Sequence, residues 1–209
     1  MDLSEKMTLQ THNTTGVLLA GGKSVRMGKD KKHITIEGRS LFERALSVLE
    51  NYFPEVIVVY GDSSQKPLTT QARSVHDLIP HCAAAGGVFT GLTYASFPQI
   101  FVVACDMPFL NPQLIDLMVS CDESMDIVIA KLKNRLEPLH ARYSKRCLPF
   151  LETMIKERMF RMQELLNVKL LKRKIFTEEE IGLIDNKALS FWNLNTPEDV
   201  YLAGELLKE

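Results

Sequence analysis

The stretch Thr15–Lys32 reads TGVLLAGGKSVRMGKDKK. Its first six residues are small or apolar and stop at Gly21-Gly22, the pattern of a short buried strand ending in a tight turn. Five basic side chains follow, at Lys23, Arg26, Lys29, Lys31 and Lys32, with a further glycine at Gly28. Glycine lets backbone N–H groups come close to an anion, and Lys and Arg add charge-assisted contacts to phosphate oxygens. A solvated basic turn is the plain alternative. Strand, double glycine and basic cluster in succession favour an anion loop at the carboxyl end of a strand.

Two common phosphate loops are excluded by spacing. Gly22-Lys23-Ser24 imitates the end of GxxxxGK[ST], but that pattern needs glycine at position 17, where the chain has Val17. The dinucleotide fingerprint GxGxxG is missing as well.

Outward from this stretch, strand and helix patterns alternate. Leu41–Tyr52 has helical spacing, with Leu41, Ala45, Val48 and Leu49 on one face. Glu55–Tyr60 (EVIVVY) and Ile100–Cys105 (IFVVAC) read as buried strands, with a helix over Val88–Ser96 between them. Asn111-Pro112 fits a helix start, with Asn as cap and Pro at the first helical position. Asp126–Ala130 and Leu139–Tyr143 read as strands, and Leu148–Leu166 as helix-rich. Val168–Phe176 alternates apolar and basic residues, as an exposed strand would. Asn195-Thr196-Pro197-Glu198 opens a last helix. This alternation predicts an α/β fold: a Rossmann-like, doubly wound, mostly parallel sheet with helices on both faces. Such sheets bind ligands beyond the carboxyl ends of their strands, where both the glycine pair and Asp106 fall.

The chain has 209 residues, 45% of them hydrophobic, and a net charge of −1. That length favours one domain, residues 15–209, behind a flexible polar tail at 1–14. The charge gives no bulk attraction to nucleic acid. No apolar run approaches the roughly 20 residues of a membrane helix. Cys82, Cys105, Cys121 and Cys147 form no CxxC pair. They read as reduced, buried thiols, and with the polar start they suit a cytoplasmic protein.

Leu19–Lys31 (LAGGKSVRMGKDK) resembles the motif LAGGxSxRMGxDK of the molybdenum-cofactor guanylyltransferases, within the wider MobA-like NTP transferase superfamily. The resemblance continues in family order. VACDMP (103–108) is similar to a strand-end CD-x-P, SVHDL (74–78) and Gly87–Gly91 to a nucleotide-facing Asp and a G-x-x-x-G loop, LEPLHARY (136–143) to Q-P-L-x-A-x-Y, and WNLNTPEDV (192–200) to N-x-N-T-P-E-D. Two positions depart from the pattern. Tyr60-Gly61-Asp62 stands where the family often has Asn, and Val88 where it often has Pro.

The resemblance implies transfer of GMP from GTP to the phosphate of molybdopterin, with release of pyrophosphate. It implies GTP contacts from Leu19, Ala20, Gly21, Gly22, Lys31, Asp77 and Asp106. Gly87, Gly91, Asn193 and Asn195 are candidates for further contacts. Asp106 is implied as the ligand of Mg²⁺, with Lys31 and Arg26 holding phosphates. Double glycine at 21–22 is typical of the guanylyl branch, whereas the cytidylyl branch more often reads LAAG, so Gly21 is expected to leave room for a purine. Partners are expected to be GTP, molybdopterin and molybdoenzymes or other cofactor-synthesis proteins, for a monomeric or weakly associating chain.

Duller roles stand beside these. Asp106 could cap a turn, and Asn195 could be only a helix cap. Arg158 and Arg161 are candidates for the pterin side, or for a solvated basic helix face. His140 reads as core, and His76 and His81 as surface or packing residues. Rival functions are a relative using CTP or a sugar or alditol phosphate, and a catalytically silent nucleotide-binding regulator.

Overall fold

The computed structural model describes residues 13–21, 33–61 and 63–208. Strand β1 (Thr14–Leu19) is buried along its whole length and lies inside a seven-stranded sheet. A small hairpin, β2 (Thr35–Ile36) and β3 (Arg39–Ser40), leads into helix α1 (Leu41–Tyr52). The Ser40 side chain accepts from the Glu43 backbone N–H while the Glu43 side chain accepts from that of Ser40, a capping box that fixes where the helix begins. Strands β4 (Val56–Tyr60) and β5 (Arg73–His76) follow, then helix α2 (Ala83–Tyr94), β6 (Gln99–Ala104) and helix α3 (Pro112–Val119). Asn111 caps α3 by accepting from Gln113 N at 2.9 Å, with Pro112 at the first position. The chain continues through β7 (Ile127–Leu132), β8 (Arg135–Ser144), α4 (Leu148–Lys156), α5 (Met162–Leu165), β9 (Arg173–Phe176), α6 (Glu178–Gly182) and α7 (Pro197–Leu206).

The strand order is β5-β4-β1-β6-β8-β7-β9. All strands run one way except β8, which is antiparallel to both β6 and β7. From β1 the chain winds outward to β4 and β5, then returns to the other side of β1 as β6. This reversal is the topological switch point of a doubly wound sheet. Side chains of β1 alternate between two cores. Leu18 packs with α1 and α3, and Val17 and Leu19 pack with α2 and α4. Helices therefore cover both faces, as the pattern of apolar strands predicted.

Two polar residues of β8, Arg142 and His140, are almost wholly enclosed. Arg142 is 1% exposed, and its guanidinium donates to the carbonyls of Val119, Cys121 and Asp122, each at 2.7 Å. A cation held on the last carbonyl of α3 and on two carbonyls just beyond it satisfies groups that the helix cannot bond internally. His140 is fully buried between the rings of Phe101 and Phe191, with centroids at 5.1 and 4.7 Å. Neither of its ring nitrogens has a hydrogen-bond partner among the described residues. The expected edge strand over 168–176 is shorter than its alternating pattern suggested. Residues 168–172 turn, with Leu171 buried, and only Arg173–Phe176 pair with β7.

Burial disfavours the imidazolium and pushes the His140 pKa down to about 4, from 6.5. The unfolded chain therefore binds an extra proton between those values. Stability from a neutral His140 is present above pH 6.5 and lost as pH falls toward 4, on the order of 3 kcal/mol in total. Chemical denaturation of wild type and His140→Leu from pH 7 to 4.5 should show wild type losing ground to the variant on acidification. Parallel pH curves would refute this account.

Candidate active site

The carboxyl ends of β1, β4, β5 and β6 form one edge of the sheet. Backbone hydrogen bonds carry the strands past their formal ends. Ala20 N donates to Val59 O at 2.8 Å, Cys105 N to Leu19 O at 3.1 Å, and Asp77 N to Tyr60 O at 2.8 Å and Gly61 O at 3.0 Å. Leu19, Ala20, Gly21, Asp77 and Asp106 are thereby set along the same edge. Leu19 and Asp106 flank the switch point between β1 and β6.

Gly21 has a local cause. A Cβ there would lie 2.6 Å from the Gly61 nitrogen and 2.9 Å from its Cα. The missing methyl makes room for the loop after β4, not for a purine, which revises the sequence argument. Gly87 and Gly91 likewise face the sheet. Added Cβ atoms would sit 3.0 Å from Leu19 Cδ2 and 2.9 Å from Val17 Cγ1, so these glycines let α2 lie close on β1. Tyr60, at a departure from the family pattern, points its ring into the core beside Phe42. At the end of the same strand Gln65 accepts from the Gly61 N–H at 2.8 Å, an amide side chain that no motif marked.

Asp77 is half-buried. Its Oδ1 accepts from the Thr90 hydroxyl at 3.0 Å, and Leu78 N donates to that hydroxyl at 3.0 Å. Burial raises its pKa to about 6, against the opposing pull of the Thr90 bond. Asp106 is partly exposed, and the closing segment grips its backbone, with Leu194 N donating to Asp106 O at 3.0 Å. Phe109 stacks on Trp192 at 5.8 Å, and Ser190 bonds both Phe109 O and Asn111 N. Asn193 and Asn195 thus belong to the strap beside Asp106. The helix cap of α7 is Thr196, in a capping box with Asp199, rather than Asn195. Asn195 Nδ2 donates instead to Asn193 O.

Among the described residues no three of His, Cys, Asp or Glu gather as a metal cluster. Asp106 offers a hard carboxylate, the donor that Mg²⁺ takes together with phosphate oxygens and water. His76 lies against the Tyr60 ring and His81 is exposed, in keeping with packing and surface roles. Arg158 and Arg161 are both exposed. Helix α4 starts at the amino-terminal edge, where Lys145 N bonds Pro98 O, and these arginines follow its far end. Gly22, Arg26 and Lys31 lie outside the described residues.

This architecture is that of a doubly wound α/β protein with Leu19 and Asp106 at the switch point. The chain belongs to the MobA-like NTP transferase family, whose domain model matches residues 16–173. It is 33% identical over 189 residues to a probable molybdenum cofactor guanylyltransferase of Pelotomaculum thermopropionicum, covering 90% of this chain and 91% of that one. Its structure is similar to molybdopterin-guanine dinucleotide biosynthesis protein A of Archaeoglobus fulgidus. The TM-score is 0.79 at 25% identity, over 93% of this chain and 98% of that one. The 2-C-methyl-D-erythritol 4-phosphate cytidylyltransferase of Thermus thermophilus shares the fold, with a TM-score of 0.68 at 15% identity over 92% and 98% of the two chains. The resemblance in the sequence motifs and the expected fold are both borne out. Among the described residues no helix is long and apolar enough to cross a membrane.

Gly21→Ala should destabilise the fold by about 1–3 kcal/mol, because backbone must shift to admit the methyl. Thermal unfolding measures this, and an unchanged midpoint would show that the loops after β1 and β4 separate freely.

Proposed function

We propose that the protein transfers GMP from GTP to the terminal phosphate of molybdopterin, releasing pyrophosphate. The observation that carries this reading is the Leu19-Ala20-Gly21 strand end held beside Asp106 by the Cys105 N to Leu19 O bond, within a chain of this family. The names of its relatives agree with it.

The acceptor phosphate attacks the α-phosphorus of GTP in line with the departing pyrophosphate. A phosphomonoester has a second pKa near 6, so at neutral pH the nucleophile is already largely a dianion and no general base is needed. The obstacle is repulsion between two polyanions. Lys31 and Arg26, carried over from the motif, hold the phosphates in line and offset charge on the leaving group. Asp106 would hold Mg²⁺, which when bound neutralises phosphate charge. Asp77 accepts hydrogen bonds from guanine N1–H and its exocyclic amine, or from ribose hydroxyls. Adenine has no N1–H donor and would leave a half-buried carboxylate underpaired, at about 1–3 kcal/mol. Arg158 and Arg161 serve the pterin side, and the chain works without nucleic acid.

GTP with Mg²⁺ should raise the melting temperature more than equal CTP or ATP, since a ligand stabilises the state it binds. GTP should also support the fastest pyrophosphate release with molybdopterin. A larger shift and faster release with CTP would reassign the nucleotide.

Asp106→Asn should lower release at least about a hundredfold while circular dichroism stays unchanged, because size is kept and the anionic ligand is lost. Near-normal release would remove Asp106 from the metal site.

A further inference from the structure

Thr90 sits in the α2 stretch Gly87–Gly91, at a position that the motif leaves open. Its side chain is fully buried and faces back toward the end of β5. A hydroxyl has one proton to donate. Here its oxygen accepts from Leu78 N at 3.0 Å, and the proton is directed to Asp77 Oδ1 at 3.0 Å. The other oxygen, Oδ2, lies over Gly86, where an added Cβ would stand 3.4 Å from it and 2.9 Å from Ile79 O. A side chain at 86 would crowd the approach to Oδ2. No ion pair is made to Asp77 among the described residues.

We propose that Thr90 is a positioning residue for nucleoside recognition: it occupies Asp77 Oδ1 and leaves Oδ2, beside Gly86, as the acceptor for N–H or O–H donors of the bound nucleotide. This rests on the nucleotide reading above. The arrangement has two effects. It removes the torsional freedom of a carboxylate that must meet a planar donor edge. It also keeps that carboxylate ionised despite burial, since a donated hydrogen bond favours the charged form. The groups near Asp77 are the Thr90 hydroxyl, the Cys82 thiol, whose pKa burial and Asp77 raise, and His76, which turns to the Tyr60 ring. Among the described residues, Thr90 is the neighbour that favours the anion.

The sign of the effect follows. Without the Thr90 proton the Asp77 midpoint moves further above about 6, and at pH 7 more of the protein carries a neutral acid, a weaker acceptor than the carboxylate. The test uses the full chain as wild type, Thr90→Val, Thr90→Ala and Thr90→Ser. Asp77 is titrated by carboxyl carbon NMR, and GTP affinity with Mg²⁺ is measured calorimetrically from pH 5.5 to 8.5. Thr90→Val should raise the Asp77 midpoint and weaken GTP about tenfold at pH 7, with much of the loss recovered at pH 8.5. Thr90→Ser should track wild type. Thr90→Ala repeats the test with a smaller side chain should the valine variant fail to fold. An unmoved midpoint, or a serine variant no better than valine, overturns the positioning role while the nucleotide reading stands. A wild type that binds no GTP overturns both.

Discussion

Strand β1 is hydrogen-bonded on both edges and buried on both faces, and the rest of the molecule is arranged to keep it so. Its parallel neighbours β4 and β6 take up its backbone groups in continuous register. An unpaired group in that position would cost free energy comparable to a lost hydrogen bond. On one face Gly87 and Gly91 bring α2 close to Leu19 and Val17. On the other, Phe53 closes over Gly16, where a Cβ would lie 2.7 Å from its ring. Small residues are thus placed where large ones would push a helix or a neighbouring turn away from the central strand.

From that packing follows the geometry of the edge where the strands end. Because Ala20 and Cys105 extend the ladders beyond β1 and β6, the first residues of both loops keep strand-like positions. Asp106 is then fixed from two sides, by Cys105 on Leu19 and by Leu194 on its own carbonyl. The C-terminal segment reaches this place through buried contacts. Asp185 accepts from Leu189 N and Ser190 N, and Ser190 bonds the loop at Phe109 and Asn111. A motif nearly ninety residues away in sequence therefore helps to hold the acid.

Much of this was legible in the sequence because it depends on local pattern. The alternation of apolar strands and helices identified the doubly wound sheet, and the bounds of α1 coincide with the predicted Leu41–Tyr52. Asn111-Pro112 announced α3 for the same reason, since capping chemistry is read within four residues. What escaped was chemistry between distant segments. Gly21 faces Gly61, Thr90 reaches Asp77, and Arg142 caps α3, and none of these pairs lies within one sequence window. The strand over 168–176 was overdrawn because alternation alone cannot say which residues meet a partner. Only Arg173–Phe176 lie beside β7, and Leu171 turns into the core. The reading of Gly21 as a purine allowance failed similarly, because the loop after β4 already fills that space.

That last correction moves the basis of nucleotide choice. With the Gly21 Cβ direction closed by Gly61, the double glycine serves the approach of two loops. Base discrimination on the proposed reading must come from side chains that face the edge. Asp77 is suited to this because burial makes its charge costly, so a partner supplying donors gains more than it would at an exposed acid. The same burial pushes the residue toward its neutral form, and a neutral acid reads donors poorly. Thr90 opposes that push from a buried helix face, where its hydroxyl also satisfies Leu78 N. Compare His140, which burial drives in the same sense toward its uncharged form, with no hydrogen-bond partner for its ring nitrogens among the described residues. One buried titratable group is left neutral in the core, and the other is held near its charged form at the edge. The two differ in depth of burial, complete at His140 and partial at Asp77, and in the proton that Thr90 donates, and it is the edge group that has a use for charge.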